Sequence, residues 1–272
     1  MKITHDFHIH TSLSYCANET ATVDNYIEHA KRLGLKKLGF ANHFWDENIA
    51  IPENNETGYE ITGYKYYPQS HLAKLKPELQ KVKDAGIQVF YGCEVEYDLP
   101  HRGVSITEAV AETFDFILMP NSHTHMTMPT ELYHPYEKHV DFMFQAYEDT
   151  LKSPVSRYIT AMAHPFMAVC APYDRDLLYG LIPDDRFRRL FDATAKKGIA
   201  FEINTADMEG KTPEEIEDGP SFRMFRLAKE CGCQFLFGSD AHSNLSHNFY
   251  ENASIVANLL GLTEKDILEI AR

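Results

Sequence analysis

The chain has 272 residues, 44% hydrophobic side chains and a formal net charge of −14. This length and composition predict a single α/β domain over residues 1–272, with enough apolar side chains for a core. The acidic balance argues against nucleic acid or an anionic membrane as the partner, because both require a basic surface.

Three features of the sequence predict where the protein resides. The N-terminal segment lacks the apolar region of a signal peptide. No stretch approaches the roughly eighteen apolar residues of a membrane span. The five cysteines are scattered and odd in number, which suits a reducing compartment. We therefore expect a cytoplasmic protein without a disulfide framework, whose oligomeric state the sequence does not indicate.

Apolar segments of strand length alternate with segments of helical spacing. The strand segments are 2–10, 35–43, 87–96, 115–123, 156–165, 198–206 and 233–242. The helical segments are 22–34, 71–86, 105–114, 136–151, 184–197 and 219–230. Gly34 is expected to end the first helix, and Pro77 to interrupt the second. This alternation predicts parallel strands joined by helical crossovers.

The seven predicted strands end in polar residues, most of which can bind a metal ion. They are His8, His10, His43, Glu94, His123, His125, His164, Asn204, Asp240 and His242. His8 and His10 project to the same side because residues i and i+2 of a strand share a face. In a parallel α/β barrel the carboxyl ends of the strands meet at one face. Any one of these residues could be a polar cap, but seven similar ends together predict a metal centre.

Several motifs resemble the PHP ("polymerase and histidinol phosphatase") family of phosphoesterases. They are "DFHIHT" (6–11), "GFANH" (39–43), "GCEVEYD" (92–98), "NSH" (121–123), "AHP" (163–165) and "GSDAHS" (238–243). The resemblance extends from residue 1 to about residue 247. The segments "FEINTA" and "GPSFRMFRLAKECGCQFLFGSDAHS" are most similar to the histidinol-phosphatase branch. The resemblance implies a distorted (β/α)7 TIM-like barrel with two to three divalent metal ions.

The resemblance also implies how the ligands are shared among the ions. His8, His10, Glu94 and Asp240 would hold one ion. Glu94, as a bridging carboxylate, would hold a second ion with His123 and His164. His43 and His242 would belong to a third. Imidazole and carboxylate ligands suit zinc, manganese or iron, and the sequence does not choose among them.

Two positions depart from the family pattern. Many relatives have a further histidine in the loop after the H-x-H motif, whereas this chain has "TSLSYCANE" there. Cys16, Asn18 or Glu19 would have to substitute, or the third ion would be weakly bound or absent; a cysteine buried in the loop is an equal alternative for Cys16. In "NSHTH" the ligand is either His123 or His125, and we prefer His123.

Clustered ions would lower the pKa of a shared water from about 15.7 towards 7 and offset charge on phosphoryl oxygens. The resemblance implies that Glu94, Asp240 and His242 are the catalytic residues. Asp6 is either a partner that orients a ligand or a carboxylate without a role.

The expected partner is a small phosphorylated metabolite. The candidates for binding its phosphate follow strand ends and are His101, Arg102, Arg175 and Lys211, of which His101 and Arg102 are preferred, although a solvated surface charge is the commoner role of such residues. The long loop 45–68 is a candidate lid or substrate-binding loop.

Three functions remain open at the level of sequence. The first is a metal-dependent phosphatase for a phosphomonoester, with L-histidinol phosphate as the specific candidate. The second is hydrolysis of a C–N or C–O bond, as in amidohydrolases, although the strand ends lack the metal-bridging lysine that those enzymes often carry. The third is a metal-binding module without catalysis, against which the nearly complete ligand set argues.

Overall fold

The computed structural model describes residues 1–50, 72–82, 85–168, 171–208, 210–243 and 250–272. Its strands are β1 (His5–Ile9), β2 (Lys37–Phe44), β3 (Gln88–Val95), β4 (Tyr97–Asp98), β5 (Gly103–Val104), β6 (Phe116–Pro120), β7 (Ala161–Ala163), β8 (Ala200–Asn204) and β9 (Phe235–Gly238). Seven of them form a parallel sheet in the order β1–β2–β3–β6–β7–β8–β9, and β4 and β5 form a small antiparallel pair. The two edges of the large sheet meet, where the His10 N–H donates to the Ala241 carbonyl at 2.9 Å.

Ten α-helices are found in the described ranges. They are α1 (Val23–Leu33), α2 (Leu75–Val82), α3 (Glu108–Ala111), α4 (Thr124–Thr127), α5 (Tyr136–Lys152), α6 (Arg175–Gly180), α7 (Asp184–Lys197), α8 (Pro213–Glu217), α9 (Pro220–Glu230) and α10 (Tyr250–Leu259). α1 begins where the Thr22 side chain accepts from the Asn25 N–H, and it ends at Gly34 with a φ of 75°. None of these helices is both long and apolar enough to cross a membrane.

The predicted α/β barrel of seven strand–helix units is confirmed as a nearly closed barrel of seven parallel strands. Two predicted elements differ from the structure. The helix expected at 105–114 is the single turn of α3. The strand expected at 156–165 is only β7, because Pro154 starts a 3₁₀ turn over Pro154–Tyr158. Pro77 lies in the first turn of α2, where no intrahelical N–H bond is lost.

Aromatic rings fill the interior of the barrel below the strand ends. The Phe7 and Phe116 rings pack edge to face with centroids 5.1 Å apart. Phe116 fits because β2 and β3 carry glycines opposite it: a Cβ on Gly92 would lie 2.2 Å from the ring, and one on Gly39 would lie 2.7 Å from it. This packing closes the bottom of the barrel and leaves the opposite end to polar side chains.

A bulge in β1 separates this apolar layer from the polar end. Asp6 pairs with Leu38 and Ile9 pairs with Phe40, so two residues of β1 lie opposite the single residue Gly39. Phe7 thus packs into the aromatic layer while His8 remains on the polar side.

His5 is buried beside this layer and makes the stability of the fold depend on pH. Its Nε2 atom accepts the Phe237 N–H at 3.1 Å. Burial lowers the pKa of His5 from 6.5 to about 4. The unfolded chain takes up a proton at the normal pKa and the folded chain does not, so stability present above pH 6.5 is lost as the pH falls towards 4.

We predict that His5 lowers the free energy of unfolding by about 2 kcal/mol between pH 7 and pH 5. His5→Gln removes the titrating group and keeps an oxygen that can accept from Phe237. Urea unfolding of both proteins at the two pH values measures the difference. An equal decrease of the free energy of unfolding in the wild type and in His5→Gln would contradict the prediction.

Candidate metal centre

The carboxyl ends of the strands place the predicted ligands around one point. The side chains that meet there are those of His8, His10, His43, Glu94, His123, His164, Asp240 and His242. Most are fully or nearly fully buried, and only Asp240 and His242 reach solvent appreciably, with 20% and 32% of their side chains exposed. Residues up to 234 positions apart in the chain are thus neighbours, as expected for strand ends of a parallel barrel.

The Glu94 carboxylate lies at the middle of this group and is inaccessible to solvent. Five imidazole nitrogens lie 3.0 to 3.5 Å from its two oxygens, and they belong to His8, His10, His43, His123 and His164. Its Oε2 atom makes no hydrogen bond of good geometry in the described structure. A buried carboxylate requires compensating charge. This arrangement, in which several nitrogens point at one oxygen pair, suits shared binding of cations.

Most of these rings are held through Nδ1, so that Nε2 points inwards. The His8 Nδ1 atom donates to Glu202 at 2.7 Å, and the His10 Nδ1 atom to Ser14 at 3.1 Å. The Ser14 hydroxyl donates its hydrogen to the Asn42 side chain, so its oxygen is free to accept the N–H of His10. The Nε2 atoms of His8 and His10 then lie 3.0 Å apart, and with both lone pairs directed at one point they can bind a single ion.

Three further rings have an Nδ1 partner. His164 binds Ser122 at 2.7 Å, His123 binds Glu96 at 2.9 Å, and His242 donates to the backbone carbonyl of Asp240 at 2.7 Å. Metal-binding histidines commonly donate their other nitrogen in this way, which fixes the tautomer and the ring orientation.

Glu202 supports the centre from β8. One of its carboxylate oxygens accepts from His8, and the other accepts the backbone N–H of His164 at 2.6 Å. Space for this carboxylate depends on Gly238, where a Cβ would lie 1.8 Å from the Glu202 Oε1 atom and 2.4 Å from the His8 Cβ. One buried carboxylate therefore positions two of the predicted ligands.

Glu96 joins two histidines on the other side of Glu94. Its Oε1 atom lies 3.2 Å from His43 Nδ1 and its Oε2 atom lies 2.9 Å from His123 Nδ1. Both rings also approach Glu94, so Glu96 either orients them or binds an ion with them.

Two of the predicted ligands lie in strained backbone. His164 has a φ of 26° and Asp240 a φ of 54°, a region that residues other than glycine rarely adopt. His164 directly follows β7, and Asp240 is the second residue after the end of β9. Such conformations are retained where the surrounding structure fixes them and are concentrated at functional sites.

The charges of the centre depend on burial and on close neighbours. Burial raises the pKa of Glu94, but the imidazoles of His123 and His8 outweigh burial and hold that pKa well below its usual value. Burial lowers the pKa of His8, but the carboxylates, above all Glu202, raise it well above its usual value. Burial and neighbouring imidazoles lower the pKa of His10. A cation that binds His8 must displace a proton, so its affinity falls as the pH falls.

The donor set fits divalent metal ions in four overlapping groups, each with its ligand atoms within 4.8 Å of one another. The groups are His8–His10–Asp240, His8–Glu94–His164, His43–Glu96–His123 and His10–Cys16–His43–His242. The first contains the ligands expected for one ion except Glu94, and the second contains Glu94 and His164 of the second expected set, with His8 in place of His123. The third adds Glu96, which the sequence reasoning did not include. Mixed imidazole and carboxylate donors are compatible with zinc, manganese or iron.

The structure also places the residues for which the sequence left alternatives. His123 lies against Glu94 and Glu96, whereas His125 is exposed beside it; the choice of His123 as the ligand stays a prediction. Asp6 accepts the backbone N–H groups of His8 and Ser239, at 3.1 and 3.0 Å. Its carboxylate therefore ties β1 to the end of β9.

The residues predicted to bind phosphate have other contacts. Arg102 forms a two-point ion pair with Asp149, with both distances 2.9 Å, and His101 binds Asp98 at 2.7 Å. His101 and Arg102 line an open cavity of about 550 Å³, and Lys211 is exposed. A role of these three residues in substrate binding stays a prediction. The candidate lid at 45–68 lies outside the described residues from position 51 onwards.

Sequence reasoning missed two carboxylates of the centre, Glu96 and Glu202. Glu96 lies two positions after Glu94, one residue beyond the end of β3, and the argument that pairs His8 with His10 predicts the same facing for it. Glu202 lies two positions before Asn204, which was taken as the polar end of its strand. Its contact with His8 spans 194 positions, and no local pattern indicates it.

We predict that Glu202→Gln weakens binding of a divalent ion about 10- to 100-fold. Glu202 accepts an N–H at each carboxylate oxygen, whereas a glutamine amide can accept at one and places an NH₂ group against the other. Zinc competition titrations measure the affinity, with Glu148→Gln on the exposed face of α5 as the matched control. Unchanged affinity in Glu202→Gln would contradict the prediction.

Comparison with known proteins agrees with this description. The PHP domain family profile matches residues 6–206. A search of curated proteins gives no match. Among solved structures, the chain is similar to the histidinol phosphate phosphatase HISK of Lactococcus lactis subsp. lactis, complexed with zinc, L-histidinol and phosphate. The TM-score is 0.66 and the identity 18%, over 96% of this chain and 94% of that one.

Two other solved structures share the fold. The protein assigned as the histidinol phosphatase hisK of Listeria monocytogenes gives a TM-score of 0.64 at 15% identity, over 90% of this chain and 97% of that one. A chain of archaeal ribonuclease P, solved with mature tRNA, gives a TM-score of 0.50 at 14% identity, over 98% of this chain and 87% of that one. These likenesses concern the fold, whereas the family profile spans most of the chain and its histidine motifs up to AHP (163–165), but not GSDAHS (238–243). The chain belongs to the PHP domain family.

Proposed function

We propose that the protein is a metal-dependent hydrolase that removes phosphate from a small phosphomonoester. The observation that carries this proposal is the buried Glu94 carboxylate with five imidazole nitrogens within 3.5 Å of it. Such a set of donors, in a member of the PHP domain family, fits two to three divalent ions. Bound there, divalent ions would act as Lewis acids on a phosphoryl group and lower the pKa of an attacking water.

The charges of the centre support a role for cations in binding an anionic substrate. Glu94, Glu96 and Glu202 are inaccessible to solvent and lie together, with Asp240 beside them. These carboxylates would repel a phosphate group unless cations offset their charge. The histidines and carboxylates therefore hold the ions, and the ions reverse the local sign of the charge.

Substrate would reach the centre from the side of Asp240 and His242, which are its most exposed predicted ligands. The His242 Nδ1–H is held by the Asp240 carbonyl, so the ring presents Nε2. Burial lowers the pKa of His242, but contact with Cys16 and Asp240 raises it above the usual value. An ion bound through Nε2 of this ring would lie on the side from which substrate enters and could offset the charge on the leaving oxygen.

L-histidinol phosphate is the specific substrate that we propose. The support is the similarity of fold to the Lactococcus lactis phosphatase that binds L-histidinol and phosphate, together with the sequence segments that resemble the histidinol-phosphatase branch. Turnover of this compound would place the enzyme in histidine synthesis.

We predict that protein loaded with zinc or manganese releases phosphate from L-histidinol phosphate faster than from a generic aryl phosphate. Glu94→Gln keeps the size of the side chain but removes the negative charge among the five imidazoles, and should lower kcat/KM at least about 100-fold. Phosphate release measures both effects.

The matched control for this experiment is Glu148→Gln, which changes an exposed carboxylate outside the centre and should leave the rate unchanged. Hydrolysis of the aryl phosphate but not of L-histidinol phosphate would support phosphomonoester hydrolysis and contradict L-histidinol phosphate as the substrate. No phosphate release from either compound, by protein with its ions counted, would contradict the proposed reaction. Amide and ester substrates would then be assayed.

A further inference from the structure

The loop between β1 and α1 places a cysteine against the exposed side of the metal centre. Cys16 belongs to a group with His10, His43 and His242 in which all ligand atoms lie within 4.8 Å of one another. Its Sγ atom thus lies within 4.8 Å of a ring nitrogen of both His43 and His242. We propose that Cys16 binds a metal ion as a thiolate, together with His43 and His242, and makes this position a thiophilic, zinc-preferring site. The inference depends on the metal centre proposed above and not on the reaction.

The loop is fixed on both sides of Cys16. Before it, the Ser14 side chain binds Asn42 at 2.8 Å and accepts from His10. After it, the Asn18 backbone N–H donates to the carbonyl of His242 at 2.7 Å. Cys16 is thus anchored between a residue that orients one predicted ligand and a residue bound directly to another.

The other candidates for the missing ligand in this loop are less well placed. The Asn18 side chain accepts the Thr20 N–H at 2.9 Å, which completes its own turn. Glu19 is exposed and belongs to none of the clusters found in the described residues. Cys16 is the loop residue whose donor atom lies among the histidines.

Both ring nitrogens of His10 have other partners in the centre. The ion at Cys16 therefore has three protein ligands, which are Cys16, His43 and His242. The Nδ1 atom of His10 binds Ser14, and its Nε2 atom lies 3.0 Å from His8 Nε2 and 3.1 Å from Asp240. Tetrahedral zinc with bonds of about 2.0–2.3 Å separates its ligand atoms by roughly 3.3–3.6 Å, so donors within 4.8 Å of one another need only small shifts. Three protein ligands and one open position are typical of catalytic zinc sites.

The choice of thiolate determines which metal binds. Sulfur ligands favour zinc over manganese, which prefers oxygen donors. Cys16 is also exposed to solvent, unlike the buried rings of His10 and His43. The ion at this position would therefore be the one lost first when the thiol is alkylated or oxidised.

Absorption spectra of the protein reconstituted with Co²⁺ test this inference without using enzymatic activity. A cobalt–thiolate bond gives an intense near-ultraviolet charge-transfer band, whereas imidazole and carboxylate ligands do not. We predict this band in the wild type and at least a tenfold weaker band in Cys16→Ser. Cys231→Ser, at the half-buried end of α9, is the matched control and should keep the band.

Metal counts and a replacement variant complete the test. With zinc, Cys16→Ser should hold one ion fewer per chain than the wild type, and Cys16→His should restore that ion without restoring the cobalt band. Cobalt bound without the band in the wild type, or a band unchanged in Cys16→Ser, would overturn the role of Cys16 and leave the rest of the centre intact. Failure of the wild type to bind cobalt would overturn the centre as a whole.

Discussion

The buried carboxylate of Glu94 is the constraint on which the rest of the structure depends. An ionised group without access to solvent is costly unless opposite charge surrounds it. Here imidazoles of β1 and β2, and of the segments that follow β6 and β7, approach it from different sides. None of these strands could supply that compensation alone. The sheet must therefore close into a barrel before the histidines can surround and compensate the Glu94 carboxylate.

The orientation of the histidines depends on a further layer of polar contacts. Glu202, Ser14, Ser122, Glu96 and the Asp240 carbonyl each bind an Nδ1 atom. This leaves Nε2 of each ring directed towards the centre. Below this layer the aromatic packing around Gly39 and Gly92 closes the barrel, so the polar side chains are held on a rigid base. Among the described residues of the centre, Cys16, Asp240 and His242 reach solvent, and we propose that substrate enters on their side.

The sequence alone predicts much of this arrangement because its signals are local. Strand and helix periodicity predicts the seven units, and polar residues at the strand ends predict a metal centre, whereas the set of eight ligands is what the resemblance to the PHP family implies. Contacts between distant segments have no such signal. The bond from Glu202 to His8, the space that Gly238 provides, and the bulge that separates Phe7 from His8 all depend on how β1 pairs with its neighbours. The strand predicted at 156–165 is too long, because its first residues belong to the 3₁₀ turn Pro154–Tyr158 and only Ala161–Ala163 form the strand.

The central claim is that Glu94 and the surrounding histidines bind divalent ions. Anomalous diffraction at the zinc absorption edge, from crystals of zinc-loaded protein, tests it most directly. The account predicts at least two peaks within about 2.5 Å of the Glu94 carboxylate or of the Nε2 atoms of His8 and His10. Crystals of fully loaded protein with zinc peaks only elsewhere on the molecule would contradict it.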